Sequence, residues 1–468
     1  MRIVFLNPPF DQEKKIIMKE IGRCGSTALG NQFWPQMGLA YLASISRKKH
    51  KTIIIDAISE KMSFEATLNR LKEFKPSLII VHVSTPTYYN DVSFINLIKE
   101  KLPNLEIGVV GSHVSNAVKH VLKQKNIDFV IVNEPELTFQ ELLVNKNWSQ
   151  ILGLAYKKKN KIYVNKSREL GELDNLPFPA RDLLPQNKYR MVLTDNEVFT
   201  TLVASRGCPY KCIYCRVGKP WGKIYRTRSV ENVIEEIKEI RYTHNIKNIV
   251  FMSDTFTLNR TWILSFCNEI IKQGINIRWL CNSRVDLIDK EMLTLMKKAG
   301  CFLISYGIES GSQKMLDIMK KGITLKQSRN AVKLTKQLNI KVFAYFILGI
   351  PGETKATIDE TIKFSLELDP DYVNFHIATP HPGTKLYDLA KKFKLIKDFD
   401  YSHYDQSGSY FVMNLPGLSS EYIKKVQKKA MIKFFFRPKR ILQKFLENIN
   451  KPLKIVELSK IAFNLLKS

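Results

Sequence analysis

The sequence predicts an α/β protein in which a doubly wound parallel-sheet domain precedes a partial (βα)6, TIM-like barrel and a helical C-terminal extension. Three observations lead to this prediction. The first third alternates Ile- and Val-rich runs with amphipathic segments, and a second series of the same kind begins at Thr200. From Ser419 onward, apolar stripes are separated by basic residues. A chain of 468 residues has room for about three such units.

The first domain is expected over residues 1–150. Its predicted strands are the apolar runs at residues 3–6, 52–55, 78–83, 107–110 and 129–132. Buried runs separated by amphipathic helices are typical of a Rossmann-like parallel sheet covered on both faces. Ligands bind such sheets at the carboxyl ends of the strands. We therefore expect the ligand-facing loops at residues 7–9, 84–87, 111–113 and 133–136.

Residues 151–196 combine a basic, hairpin-like stretch with a segment that contains three prolines, which predicts a linker and packing segment. The barrel is expected over residues 197–395. Its predicted strands lie at residues 200–205, 248–253, 277–283, 302–309, 341–348 and 372–379. A helical segment follows each strand, and Ser229 is the predicted N-cap of the first helix. In a barrel of this kind, functional residues belong at the carboxyl ends of the strands.

The extension, residues 396–468, carries apolar residues such as Ala430, Phe434, Ile441 and Phe445 between lysines and arginines. Pro438 is expected to divide it into two helices. Two roles are open. We favour a helical cap that closes the barrel, and the alternative is peripheral contact with an anionic membrane surface.

Composition limits the class of protein without choosing a function. Lys and Arg number 73 and Asp and Glu 44, a formal charge of +29, which favours an acidic partner or simply solubility. Seven cysteines do not form a disulfide framework in a chain of this length. Asn7, Pro8, Pro9 and Asp11 interrupt any signal-peptide core, and no run reaches the ~18 apolar residues of a membrane span. We therefore expect a cytoplasmic protein.

The strongest local motif is the cysteine triplet Cys208, Cys212 and Cys215 in the stretch GCPYKCIYC. Three thiolates on one short loop can hold three irons of a [4Fe–4S] cluster and leave the fourth iron open. A zinc site usually needs a second cysteine pair, which the scattered remaining cysteines do not provide. Packed structural cysteines are the alternative, but the position after a barrel strand favours a functional site.

These cysteines, with Tyr214 before the last of them, resemble the signature of the radical S-adenosylmethionine (SAM) family. The resemblance implies that SAM binds the open iron and is cleaved reductively to methionine and a 5′-deoxyadenosyl radical. It extends over residues 200–395. Further positions that it implies for SAM binding follow in order on successive strand ends: Asp254, Arg284, Glu309, Ser310, Gly349, Pro351 and Gly352. Ser253 replaces an acidic residue that is often seen there.

The first domain resembles the cobalamin-binding domain of the B12-dependent branch of that family. The resemblance implies cobalamin contacts from the strand-end loops, namely Asn7, Pro8, Ser84, Thr85, Gly111, His113 and Glu134. Ser112, Asn133 and Pro135 stand where glycines are usual. The D-x-H-x-x-G motif is absent, so we expect no protein imidazole below cobalt, with His113 as the alternative ligand and His82 as a core residue. The domain could also be a sheet module without a corrin.

The resemblance implies an enzyme that uses a [4Fe–4S] cluster, SAM and cobalamin to methylate an unactivated carbon. The alternatives are an oxidative cyclase or rearrangement enzyme of the same branch, and a basic nucleic-acid- or membrane-binding protein without catalysis. A methylthiotransferase is disfavoured because only Cys24 precedes Cys208. We expect a small-molecule or lipid substrate, an electron donor such as flavodoxin or ferredoxin, and no specific nucleic acid.

Overall fold

The computed structural model describes residues 1–10, 17–20, 23–26, 32–217, 222, 224–405, 410–438, 440–442 and 446. The strands in these residues are β1 (Arg2–Asn7), β2 (Ile17–Glu20), β3 (Arg23–Ser26), β4 (Lys51–Asp56), β5 (Leu78–His82), β6 (Glu106–Val110), β7 (Phe129–Ile131), β8 (Leu154–Lys158), β9 (Lys161–Val164), β10 (Arg190–Met191), β11 (Glu197–Leu202), β12 (Ser205–Arg206), β13 (Arg226–Thr227), β14 (Asn248–Phe251), β15 (Arg278–Ser283), β16 (Cys301–Glu309), β17 (Lys341–Leu348) and β18 (Tyr372–Ile377).

The α-helices are α1 (Met37–Ser46), α2 (Phe64–Phe74), α3 (Tyr88–Lys101), α4 (Ser112–Asn116), α5 (Val118–Leu122), α6 (Glu136–Leu142), α7 (Val230–Lys238), α8 (Arg260–Lys272), α9 (Lys290–Lys298), α10 (Gln313–Ile318), α11 (Leu325–Gln337), α12 (Lys355–Leu368), α13 (Lys385–Lys392) and α14 (Ser420–Phe435). Side-chain caps fix several of their starts. Ser229 is the N-cap of α7, as predicted, and accepts a hydrogen bond from the Asn232 backbone N–H.

The first sheet has the order β4-β1-β5-β6-β7, all parallel. In chain order of the parallel strands this is 2-1-3-4-5, a doubly wound order whose switch point lies between β1 and β5. Strand β5 is buried along its whole length, as a strand covered on both faces must be. The predicted doubly wound domain is confirmed.

The antiparallel strands β8 and β9 continue the first sheet beyond β7. The basic hairpin in residues 151–196 therefore extends the sheet of the first domain. Its alternating sequence predicts a hairpin but does not indicate which sheet the hairpin joins. The remainder of that segment joins the two sheets: Tyr189 donates its hydroxyl to the Asp56 carboxylate at 2.8 Å, and Arg181 forms a buried ion pair with Glu236.

The second sheet contains six parallel strands in chain order, β11-β14-β15-β16-β17-β18, and β10 lies antiparallel beside β11. The predicted partial barrel of six βα units is confirmed. Its inner face packs on the first domain in one shared apolar cluster, in which Trp34 contacts Phe199 edge to face.

Helix α14 packs against strand β18 and helix α12. Its buried side is apolar, and Gln427 donates to the Phe375 carbonyl at 2.6 Å. Helix α14 ends at Phe435, and helical residues resume at Pro438, so the predicted break occurs there. Phe445, another residue of the predicted stripe, lies outside the described residues. No helix in the described part of the chain is long and apolar enough to cross a membrane.

Candidate functional site

The cysteine triplet lies on the loop that joins β12 to β13, at the carboxyl end of the barrel. All three cysteines are free of disulfides. Gly207 opens the loop with φ +87°, and a Cβ there would lie 2.1 Å from the Ile224 carbonyl oxygen. The loop therefore requires glycine at this position.

Neighbouring strand-end loops hold the cysteine loop in place. The Asp254 carboxylate accepts the Gly207 N–H at 2.9 Å. Ile213 donates its N–H to the Met319 carbonyl at 3.1 Å, and its own carbonyl accepts from Leu386 at 2.8 Å. The loop is thus fixed by segments that follow β14, β16 and β18.

The three thiols are candidate ligands of a [4Fe–4S] cluster. Among the described residues, no group of three His, Cys, Asp or Glu side chains converges as ligands for one metal ion. A [4Fe–4S] cluster does not need such convergence, because each thiolate binds a different iron. Burial raises the pKa of the Cys212 thiol; the nearby Lys321 ammonium opposes this rise, and Cys208 contributes to it.

The residues of the loops after β14 and β15 engage the cysteine loop and the strand beside it. The Ser253 hydroxyl, fully buried, accepts the N–H groups of Ala204 and Ser205 at 3.2 and 3.0 Å. Arg284 makes two 2.9 Å hydrogen bonds to the Asp286 carboxylate. Its guanidinium also lies 3.5 Å from the centroid of the Tyr210 ring. In this structure, then, Arg284 supports the loop on which the cysteines lie.

Glu309 is held by a residue that sequence analysis missed. Its carboxylate accepts a 2.8 Å hydrogen bond from Lys321 Nζ, and both side chains are buried. Lys321 Nζ is also 3.5 Å from the hydroxyl of Tyr214, the residue before Cys215. Ser310, on the next position, hydrogen-bonds Thr361 at 3.0 Å.

The loop after β17 is closed by a buried carboxyl group. Gly349 and Gly352 have φ values of +87° and +92°, and a Cβ on Gly349 would lie 2.8 Å from the Phe411 ring. Pro351 lies between them and is partly exposed. Glu353 accepts the Gly349 N–H, and burial raises its pKa to about 7.

In the first domain, most of the predicted cobalamin residues bond to one another or to neighbouring elements. Asn7 donates to Asp56 at 2.6 Å, and Pro8, the next residue, is buried. The hydroxyls of Ser84 and Thr87 are 2.7 Å apart, and Thr87 donates to the Asp91 carboxylate. Asp91 also pairs at 2.8 Å with Lys19 of strand β2; both side chains are almost fully buried.

Burial lowers the pKa of His82, and of His113 after the next strand, to about 3. His113 Nδ1 lies 3.2 Å from the Thr85 hydroxyl, and its ring packs on Tyr88 and Tyr401. Burial lowers the pKa of His113 to about 3, with His120 and Arg216 contributing. His82 Nδ1 bonds the Gln36 carboxamide at 2.9 Å inside the core, as predicted for a core residue.

A small cleft remains at the carboxyl ends of β5, β6 and β7. It is lined by Gly38, Leu39, His82, Val110, Gly111, Ser112, Asn133 and Pro135. A Cβ on Gly111 would lie 2.3 Å from the Val83 carbonyl oxygen, and its φ is +128°. Gly111 is therefore required by packing inside the domain, and the cleft lies at the strand ends where doubly wound sheets bind their ligands.

Glu134 contacts the barrel. Its carboxylate forms ion pairs with Arg226 and, at 3.3 Å, with Arg206, and Arg206 also pairs with Glu136 at 2.6 Å. These three strand-end carboxylate–arginine pairs join the two domains. In this arrangement the oxygens of Glu134 are engaged by arginines of the barrel.

The carboxyl ends of the two sheets meet. A Cβ on Gly383, in the loop after β18, would lie 2.2 Å from Asn116 Oδ1 of helix α4. Tyr401 of the extension contacts the His113 ring at 4.8 Å. Burial lowers the pKa of His381, and the charges of Arg216 and His113 lower it further, which places all three groups near one another. Both sets of ligand-facing loops therefore border one interdomain region.

A half barrel with three free cysteines on a strand-end loop, facing a doubly wound domain, defines a radical SAM enzyme with an additional cofactor domain. Residues 202–365 match the Radical SAM superfamily, and residues 27–143 match the B12 binding domain. The chain is 35% identical over 454 residues to an uncharacterized methyltransferase of Pyrococcus horikoshii, which covers 96% of this chain and 95% of the relative. The chain belongs to the cobalamin-dependent radical SAM family, and its cofactors are a [4Fe–4S] cluster, SAM and cobalamin.

Other relatives differ in their reactions. The chain is 28% identical over 420 residues to the anaerobic magnesium-protoporphyrin IX monomethyl ester cyclase of Rubrivivax gelatinosus. The match covers 86% of this chain and 72% of the cyclase. The radical SAM methyltransferase TsrM of Kitasatospora setae, solved with cobalamin and [4Fe-4S] cluster bound, has the same fold. Its TM-score is 0.71, at 14% identity, over 92% of this chain and 91% of that chain.

Proposed function

We propose that this radical SAM enzyme methylates an unactivated carbon of a small-molecule or lipid substrate. The observation that carries the proposal is the meeting of the two carboxyl ends, because two cofactors must reach one substrate. When bound, the cluster supplies the electron for reductive cleavage of SAM, and cobalamin supplies the transferred methyl group.

The residues of the chain would bind and orient these groups. Cys208, Cys212 and Cys215 would hold three irons, and Gly207 and Asp254 fix the loop that carries them. Glu309 and the backbone around Gly349 face the barrel mouth, where the resemblance implies SAM. Cobalamin would lie on the cleft beside Gly111. We expect no protein imidazole on cobalt because the sequence lacks the D-x-H-x-x-G motif.

The cyclase or rearrangement alternative uses the same cofactors without net methyl transfer. The test is anaerobic reconstitution with iron, sulfide and hydroxocobalamin, followed by addition of methyl-labelled SAM and dithionite. We expect both 5′-deoxyadenosine and S-adenosylhomocysteine, because one SAM is cleaved and another donates its methyl group. Formation of 5′-deoxyadenosine alone would favour the cyclase, and formation of neither product would contradict both proposals.

We also propose two partners. An acidic one-electron donor such as flavodoxin or ferredoxin suits a chain with a charge of +29. The C-terminal residues Ile441, Leu442 and Leu446 are exposed apolar side chains in a basic segment, which supports peripheral contact with an anionic membrane. Flotation with anionic liposomes at low salt, reversed at high salt, is expected; no flotation at low salt would contradict the membrane contact.

A further inference from the structure

The ion pair between Lys321 and Glu309 lies inside the barrel, where charges are rarely left. The Lys321 Nζ and Glu309 Oε1 atoms are 2.8 Å apart, and their side chains are only 7% and 9% exposed. Glu309 ends strand β16 with φ +70°, a strained conformation for a residue other than glycine. Buried pairs are weak evidence for stability, so a functional explanation is warranted.

The fold leaves space for this pair. A Cβ on Gly307 would lie 2.4 Å from Glu309 Oε1 and 2.8 Å from Lys321 Nζ. Any larger residue at position 307 would therefore displace one of the two charges. Glycine in a strand interior is otherwise unfavourable, and here it marks the close approach of two charged side chains.

The segment that carries Lys321 is tied to the cysteine loop at three points. Met319 accepts the Ile213 N–H at 3.1 Å. The Lys321 carbonyl accepts from Arg284 at 2.9 Å, and that guanidinium lies on the ring of Tyr210. Lys321 Nζ itself is 3.5 Å from the Tyr214 hydroxyl. The pair is thus held at a fixed position beside the cysteine loop.

The segment that carries Lys321 contacts residues that lie next to two of the cluster ligands along the chain. Lys321 Nζ contacts the hydroxyl of Tyr214, which precedes Cys215, and Met319 accepts the N–H of Ile213, which follows Cys212. Fixed charges in a water-poor site interact strongly with any charge change at their neighbours. One-electron reduction of a cluster is such a charge change, and its potential depends on nearby charge and hydrogen bonding.

We propose that Lys321 and Glu309 are positioning residues that set the reduction potential of the cluster, with Lys321 raising it and Glu309 lowering it. The step concerned is the uptake of one electron from a low-potential donor such as dithionite, with no bond formed or broken. The inference rests on the proposed function, because it needs the cluster. An increase in negative charge is easier beside an ammonium and harder beside a carboxylate.

The test is an EPR-monitored redox titration of the reconstituted protein without SAM. We expect the midpoint of Lys321→Gln to lie below that of the wild type and the midpoint of Glu309→Gln to lie above it. Lys321→Arg, which keeps the charge, should remain close to the wild type. Arg329→Gln, which breaks an exposed pair with Glu367, is the matched control and should leave the midpoint unchanged.

The proposal would be overturned if the midpoints of the two Gln variants shifted in the same direction or if neither shifted. General damage to the site would move both midpoints alike, whereas the loss of opposite charges moves them apart. If Lys321→Gln binds no cluster, Glu309→Gln decides: a higher midpoint supports the proposal, and an unchanged or lower one overturns it. A wild-type protein that binds no cluster would instead contradict the proposed function.

Discussion

The carboxyl ends of the two sheets are built differently. At the end of the barrel, Asp254, Arg284 and Lys321 reach from separate strand-end loops toward the cysteine loop. At the end of the first sheet, side chains such as Thr85 and Thr87 bond to their own domain, beside a small cleft that Gly111 helps to line. The difference indicates that directed side chains fix the cysteine loop of the barrel, whereas the strand ends of the first domain leave a small cleft.

The largest effect is expected for Cys212→Ala. Removing one of three thiolates leaves an iron without its ligand, so SAM cleavage should be abolished. The first domain has a sheet and an apolar cluster of its own, so cobalamin binding should remain when measured by absorption spectroscopy. The control is Cys267→Ala, which removes a buried thiol of helix α8 in the apolar core of the barrel. SAM cleavage that survives in Cys212→Ala would contradict the assignment of the site.

Gly207→Ala should also disrupt the cluster site without removing a ligand. Its φ of +87° and the 2.1 Å approach of the Ile224 carbonyl to a new Cβ force the loop to move. We expect a large loss of bound iron after reconstitution, measured by iron quantitation. Gly274→Ala is the matched control, because Gly274 also has a positive φ, +61°, but nothing lies within 4 Å of its Cβ. Equal iron loading in both variants would show that the loop tolerates the displacement.

The first domain contains a buried ion pair between Lys19 and Asp91. Lys19→Met leaves the Asp91 carboxyl group buried without its cation, and breaking a buried pair from one side destabilises by about 3–5 kcal/mol. Urea unfolding, followed by circular dichroism, measures this change. Arg329→Met removes one partner of an exposed pair and should change stability by at most about 1 kcal/mol. Equal effects of the two variants would contradict the structural role of Lys19.

Local patterns in the sequence were sufficient to predict the parallel strands and the cysteine loop. Runs of Ile and Val mark buried strands, and Cys208, Cys212 and Cys215 are close in sequence as well as in space. Both parallel sheets and the six βα units follow from these patterns. The strand order 2-1-3-4-5 and the addition of β8 and β9 to the first sheet were not predictable, because they depend on pairing between distant segments.

The missed site residues share one property: their partners are distant in sequence. Lys321 meets Tyr214, Lys19 meets Asp91, and Arg206 meets the carboxylates of Glu134 and Glu136. A single lysine or arginine has no periodicity that distinguishes a buried ion pair from a solvated surface charge. The one local signal was the position of Arg206 directly before the Gly-Cys of the cysteine loop.

The smallest expected effect is a pH-dependent change in the free energy of unfolding caused by Glu353, at the end of the barrel. Burial raises the pKa of this carboxyl group from 4.5 to about 7, so the folded state binds its proton more tightly than the unfolded chain does. The stability from this group is fully present below about pH 4.5 and is lost as the pH rises to about 7. One pKa unit corresponds to about 1.4 kcal/mol, so the loss amounts to about 3 kcal/mol.

Glu353→Gln keeps an oxygen that can accept the Gly349 N–H and removes the titration. We therefore expect the free energy of unfolding of the wild type, relative to Glu353→Gln, to fall as the pH rises between about 4.5 and 7 and to be flat above that range. Urea unfolding at several pH values measures the difference, in which the titrations common to both proteins cancel. A difference that does not change with pH would show that the loop after β17 opens enough to hydrate the Glu353 carboxyl group. Fixed side-chain contacts would then not extend to this loop of the barrel end.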